Sequence, residues 1–184
     1  MKTLRRLFQI DRIGTAILFA IIAFGTTARA ETVSAAKAAT RSTIETFLKC
    51  WETGDQATFA ALLHPDLVFG YPGGRFDRDG LVKTFVAYHQ HKHDIKIYFS
   101  EKFVSDGKKS VLPYQFAATD NVSGRRFAVG TAAICEFKDG KIIAFREYWD
   151  TSVPEDQKAG ELPLDEGTVS PWPISVWLRP DTIN

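Results

Sequence analysis

Three dipeptides that favour chain reversal, Asp106-Gly107, Ser123-Gly124 and Asp139-Gly140, separate four apolar segments in the second half of the chain. Such pairs close two-residue hairpins, because aspartate, asparagine and glycine tolerate the positive φ those turns need. The segments Ile95–Val104, Ser110–Asp120, Arg125–Phe137 and Lys141–Asp150 are therefore predicted to form an antiparallel meander. Side chains alternate along a strand, so counting back from each turn tells which residues share a face. Around Asp139-Gly140 the count sets Phe137 against Ile142, Cys135 against Ala144, Ala133 against Arg146, Thr131 against Tyr148 and Val129 against Asp150. Around Ser123-Gly124 it sets Thr131 against Phe116 and Ala133 against Tyr114. Around Asp106-Gly107 it sets Phe99 against Tyr114 and Ile97 against Phe116.

One face then collects Ile95, Ile97, Phe99, Phe103, Leu112, Phe116, Phe127, Val129, Ile142 and Ala144, which is a core face. Its polar members, Glu101, Tyr114, Asp120, Thr131, Arg146, Tyr148 and Asp150, carry the information. Burying a charge costs about several kcal/mol unless it is paired, so these groups either line a wet cavity or sit at the ends of the sheet. The opposite face holds Ala128, Gly130, Ala132, Ile134, Ile143, Phe145 and Trp149. A face so apolar implies a cover, most simply a second copy of the chain, with the C-terminal tail as the competing cover.

Ahead of the meander, Ile44, Phe47, Leu48 and Trp51 fall at helical spacing and predict a helix over Ala35–Thr53. Gly54 suits its end and Asp55 the start of a short second helix that carries Phe59, Leu62 and Leu63. A short strand, "DLVFGYPGG", follows, then a third helix from Asp79 with Leu81, Val82, Phe85 and Tyr88 as its stripe. Residues 1–30 stand apart. Lys2, Arg5, Arg6 and Arg12 precede an uncharged run, and Ala28-Arg29-Ala30 offers a cleavage site, the pattern of an export signal. The mature protein is thus expected to be exported, periplasmic or secreted, and to leave the membrane once the signal is removed. The signal holds five basic and one acidic residue, which leaves 18 basic and 21 acidic residues behind it, a net charge of −3. No basic stripe remains, which argues against nucleic acid. Cys50 and Cys135 can be one disulfide or two buried thiols. Residues 154–184 are proline-rich and read as an extended arm whose Trp172 and Trp177 pack on the domain or on a partner.

The segments "FLKCWETGDQATFAALLHPDLVFGYPGG" and "FKDGKIIAFREYWD", in this order of helices and strands, resemble the SnoaL-like branch of the nuclear-transport-factor-2-like superfamily. The resemblance covers about Ala35 to Val153, within one domain of residues 31–153. It implies an α+β, cone-shaped fold with three N-terminal helices on a strongly curved antiparallel sheet, continued by the C-terminal arm. Members include polyketide cyclases, ketosteroid isomerases, limonene-epoxide hydrolases, dehydratases and many pocket-bearing proteins without known chemistry, so the fold leaves open whether this chain is an enzyme. Aligned with the isomerases, Phe47, Tyr71 and Ala133 stand where a tyrosine, a carboxylate base and an aspartate are needed, so steroid-type isomerisation is not expected. Of the epoxide hydrolases' pair of aspartates, Asp150 matches one and the Arg-x-Asp pair falls near Ala117 and Thr119.

On this reading Asp150 is the proton carrier, with Tyr148 beside it and His89 as a second base, and Tyr71, Tyr114, Phe116, Thr131, Arg146 and Trp51 bind the ligand. Each has a plainer reading. Asp150 could cap a loop, the tyrosines could be core residues, and Arg146 could pair with Glu101. His89 and His93 lie one helical turn apart, yet two histidines near a helix end make a weak metal site, so neither a metal nor a cofactor is expected. The expected partners are a small, largely apolar organic ligand and a second copy of the chain across the outer sheet face.

Overall fold

The structure is a computed structural model that describes residues 11–167, with side chains from residue 31 onward. Helix α1 runs from Asp11 to Thr53, longer than the predicted helix, and buries Ile44, Phe47 and Leu48. Gly54 ends it at φ +71°, a conformation that suits glycine. Asp55 then caps α2, Gln56–Ala61, by accepting from the Thr58 N–H. Strand β1, Leu63–Tyr71, and short β2, Gly74–Phe76, lead to α3, Arg78–His91. Asp77, not Asp79, caps α3, accepting from the Gly80 N–H at 2.7 Å. The four later segments become β3 (Lys92–Phe99), β4 (Val104–Ser105), β5 (Lys109–Asp120), β6 (Arg126–Lys138) and β7 (Lys141–Trp149). The first of them is thus interrupted between Phe99 and Val104.

The sheet order is β2-β1-β7-β6-β5-β3, with β4 on β5. It is mixed rather than antiparallel throughout, because β1 runs parallel to β7. Its inner face meets the helices in a core around Phe47, Phe59, Phe85, Leu112 and Phe145. Strand β3 ends the sheet, and α1 manages its edge: Glu52 accepts from the Ile97 N–H at 2.5 Å, while Lys49 donates to the Ile97 carbonyl at 3.4 Å. An ion pair of 2.8 Å links the two side chains. Together they occupy the backbone groups another strand would seek.

None of the three turns follows the count throughout. The first closes around Gly107-Lys108, where Ser105 faces Ser110 and the Asp106 N–H donates to the Lys109 carbonyl at 3.1 Å. Asp120 and Arg125 close a four-residue loop by a 2.9 Å bond, which slides β6 two residues along β5. Tyr114 therefore faces Thr131 and Phe116 faces Val129; an even slip leaves every side chain on its predicted side. The facing of Ile97 with Phe116 and of Phe99 with Tyr114 is as counted. Asp139 and Gly140 do form a two-residue turn, both with positive φ. Immediately after it, however, Phe137 faces Ile142 while Glu136 faces Ala144, so Ile143 is an extra residue on β7. This β-bulge displaces the ladder by one, and an odd slip reverses faces. Cys135 faces Phe145, Ala133 faces Glu147 and Thr131 faces Trp149.

Beyond Trp149 the chain does not extend. Pro154 lies in the first turn of a helix, α4 (Val153–Ala159), which corrects the expected extended arm at its start. Val153 and Leu162 pack on Val129. The Gln157 side chain both accepts from the Ala128 N–H and donates to its carbonyl, at 3.0 and 2.9 Å, as a neighbouring strand would. Residues 165 to 167 cross the outer face, where the fully buried Gln115 bonds the Asp165 carbonyl and the Gly167 N–H. Arg126 pairs there with Glu166. The tail thus covers part of the outer sheet; Trp172 and Trp177 lie outside the described residues. Cys50 and Cys135 are free, buried thiols and not a disulfide.

Candidate functional site

Between the helices and the inner face lies a cavity of about 390 Å³, within the size range of sites for small organic molecules. Nine of its sixteen lining residues are aromatic, which makes it an apolar container. Trp51 enters from α1, Tyr88 and Thr84 from α3, Phe69 and Tyr71 from β1. The sheet supplies Tyr114 and Phe116 from β5, Phe127, Val129 and Thr131 from β6, and Glu147 and Trp149 from β7; Pro154 of α4 completes the wall. Among these residues Glu147 is the one carboxylate, and no lysine, arginine or histidine joins it.

The β7 bulge puts Glu147 there. Directly opposite stands Ala133, with no exposed surface, so the strand between β5 and β7 offers little bulk at this level. The Tyr114 hydroxyl reaches across and donates to Glu147 Oε1. Among the described residues Oε2 has no hydrogen-bond partner, and Glu147 is part of the cavity wall. Burial in this apolar setting raises the Glu147 carboxyl to about 7, partly opposed by the bond from Tyr114. Burial, and then the charge of Glu147, push the Tyr114 hydroxyl well above its ordinary range. They raise Tyr88 and the Cys135 thiol for the same reasons. Near neutral pH the site therefore holds one exchangeable proton, on Glu147, ringed by phenols that keep theirs.

The sequence-predicted residues divide by the bulge. Trp51, Tyr71, Tyr114, Phe116 and Thr131 line the cavity. Tyr148 and Arg146 do not, because the extra residue turns them outward: Tyr148 is 56 % exposed, and the Arg146 stem lies over Gly70. Asp150 sits past the strand end, accepting from the Ser152 N–H and hydroxyl at 3.0 and 2.8 Å, the loop-capping role. Both ring nitrogens of His89 meet main-chain carbonyls, of Phe85 at 2.8 Å and Trp51 at 2.9 Å, so it ties α3 to α1 instead of facing the cavity. Glu101 is exposed, and among the described ion pairs none joins it to Arg146. Asp120 pairs with Lys92 at 2.5 Å, which holds its carboxyl well below the usual range. Among the described residues no cluster of His, Cys, Asp or Glu is arranged to hold a metal. Glu147 and Trp149 were missed by counting. Their trace in the sequence is the doublet Ile142-Ile143, two bulky apolar residues in succession where a strict alternation would place one.

Residues 44–145 match the family model of the SnoaL-like domain. The chain belongs to that family. No curated protein matches the SnoaL-like chain closely enough to add to this. Among solved structures it is similar to TsrD from Streptomyces laurentii, with 23% identity, TM-score 0.58, and coverage of 66% of this chain and 95% of that one. An M. tuberculosis LEH-like epoxide hydrolase is similar at 20% identity and TM-score 0.56, covering 66% and 87%. IdmH from Streptomyces antibioticus, a candidate polyketide cyclase, is similar at 19% identity and TM-score 0.58, covering 65% and 97%. At these identities the likeness concerns the nuclear-transport-factor-2-like fold. Glu147 lies just beyond the matched segment, so its placement rests on this chain's own register.

Proposed function

We propose that this SnoaL-like protein binds a small, largely apolar organic molecule in the aromatic cavity and moves a proton on it with Glu147. The observation that carries the reading is a lone carboxylate, raised to about 7, in a wall otherwise made of rings and aliphatic groups. A general acid or base works best when its pKa lies near the working pH. Oε2 takes or returns the proton while Tyr114 holds Oε1 and spreads the charge that develops there. Cyclisation, dehydration, isomerisation and hydrolysis can each proceed through such a step without a cofactor; similar folds described as a candidate polyketide cyclase and an LEH-like epoxide hydrolase support this range. The basic leader and its Ala28-Arg29-Ala30 site support export of the mature chain. The exposed Tyr148 and Val68 on the outer face favour pairing of two copies there, beside the part the tail covers.

Native mass spectrometry of the protein from its own host is expected to show a co-purified organic molecule. Once that molecule or its precursor serves as substrate, Glu147→Gln should bind it and lose about a hundredfold or more in turnover. Undiminished turnover in that variant would remove Glu147 from the chemistry. Binding without any turnover in the wild type would leave a ligand carrier.

A further inference from the structure

The charge and ring geometry of the cavity narrow its ligand further, on the reading that this cavity is the binding site. An anionic ligand would enter beside Glu147 without a single cationic side chain in the wall. A neutral ligand would leave the carboxylate unpaired whenever it ionised, and an unpaired buried charge is costly.

Three of the walls are set at nearly right angles to one another. The ring planes of Trp51 and Tyr88 meet at 86° with centroids 5.4 Å apart, those of Trp51 and Phe116 at 81° and 6.4 Å, and those of Tyr88 and Phe116 at 76° and 5.9 Å. The three rings meet edge to face and all line the cavity, so a ligand there lies beside aromatic surface on several sides, and a ring face attracts a cation within ~6 Å. Glu147 lines the same cavity as these three rings and is its one carboxylate. We propose that the cavity binds a cationic nitrogen, a tertiary or quaternary ammonium bearing apolar groups, in the corner formed by Trp51, Tyr88 and Phe116 with Glu147 as its counter-ion.

The titratable groups facing Glu147 are Tyr114 of β5, Cys135 of β6 and Tyr88 of α3, all raised and neutral near pH 7. Glu147 alone among them changes charge there, so binding of a permanent cation strengthens as the pH rises through about 7 and drives off the Glu147 proton.

Tryptophan fluorescence titrations with benzyltrimethylammonium, its neutral carbon isostere neopentylbenzene, and phenylacetate test this at about pH 8 and pH 5. The cation is expected to bind roughly tenfold or more tighter than the isostere at the higher pH, with most of that preference gone at the lower. Phenylacetate is expected to bind least. Glu147→Gln should bind the cation and the isostere alike; the wild-type pH comparison stands even if that variant folds poorly. An isostere that equals the cation at both pH values, or a preference that survives Glu147→Gln, overturns the cation assignment and leaves the cavity reading intact. Failure of all three probes overturns both.

Discussion

Tyr114 on β5 donates its hydroxyl to Glu147 on β7, across the small Ala133 of the intervening strand. The bond joins strands that are not neighbours, and it requires both a short side chain between them and the bulge at Ile143. The proposed chemistry depends on that arrangement.

Glu147 makes stability depend on pH in an unusual direction for a carboxylate. Its folded value, about 7, lies above the ordinary 4.5. The contribution is therefore complete below about pH 4.5 and is lost as the pH rises through 7. The difference amounts to roughly 3 kcal/mol. Glu147→Gln should match the wild type near pH 5 and exceed it near pH 8 by up to about that amount, as read from denaturation midpoints. Parallel pH profiles for the two proteins would return Glu147 to an ordinary, solvated carboxyl.

Filling the space opposite Glu147 should separate it from its partner. Ala133→Leu adds bulk at a position without exposed surface, which costs about 1–3 kcal/mol. The variant should also lose most ligand affinity, since the added atoms point at the Tyr114–Glu147 bond. Calorimetry finding no loss of stability would mean that the site yields more freely than its packing implies.

Residues of β7 and just past its end that do not line the cavity should be dispensable for it. Tyr148→Ala and Asp150→Asn are expected to leave ligand affinity within about twofold, whereas Trp149→Ala should weaken it about tenfold or more through lost aromatic surface. The reverse ranking in the same binding assay would mean the bulge is misplaced.

The tail is held by amides. Gln157→Ala would leave the Ala128 N–H and carbonyl without the partner they have now, at about 1–3 kcal/mol. Hydrogen exchange at Ala128 and across residues 160–167 should quicken while α1 and α3 stay protected. Unchanged exchange there would show that Val153 and Leu162 suffice to hold the segment.

Edge protection of β3 rests on α1. Glu52→Ala removes the acceptor of the Ile97 N–H and should cost about 1–3 kcal/mol, with faster exchange at Ile97. An unaltered rate would assign the edge to other groups.

Much of this architecture could be read from residues alone, where physics is local. Helical spacing located Ile44, Phe47 and Leu48 in the core, and the Asp139-Gly140 turn formed as its φ preferences require. The inner positions of Tyr114, Phe116 and Thr131 survived a two-residue error in register, because an even slip preserves faces. Two quoted segments and the order of elements between them pointed to the SnoaL-like frame, since family resemblance accumulates over a hundred residues and tolerates local error.

Which acidic group of β7 looks inward was a different kind of question. Arg146, Glu147 and Tyr148 occupy one strand, with Asp150 just past its end, and a single extra residue at Ile143 exchanges the sides of those that follow it in the strand. Nothing within the turn dictates that residue. It is settled by how β7 must lie against β6 and β1 together, with Phe145 stacked on Phe69 at 5.4 Å and pressed against Phe47. Local spacing thus determined most of the elements, and the resemblance of two segments to the SnoaL-like family pointed to the frame that holds them. Packing between strands distant in sequence decided which carboxylate meets the cavity, because alternation carries only two states and long-range contacts choose between them.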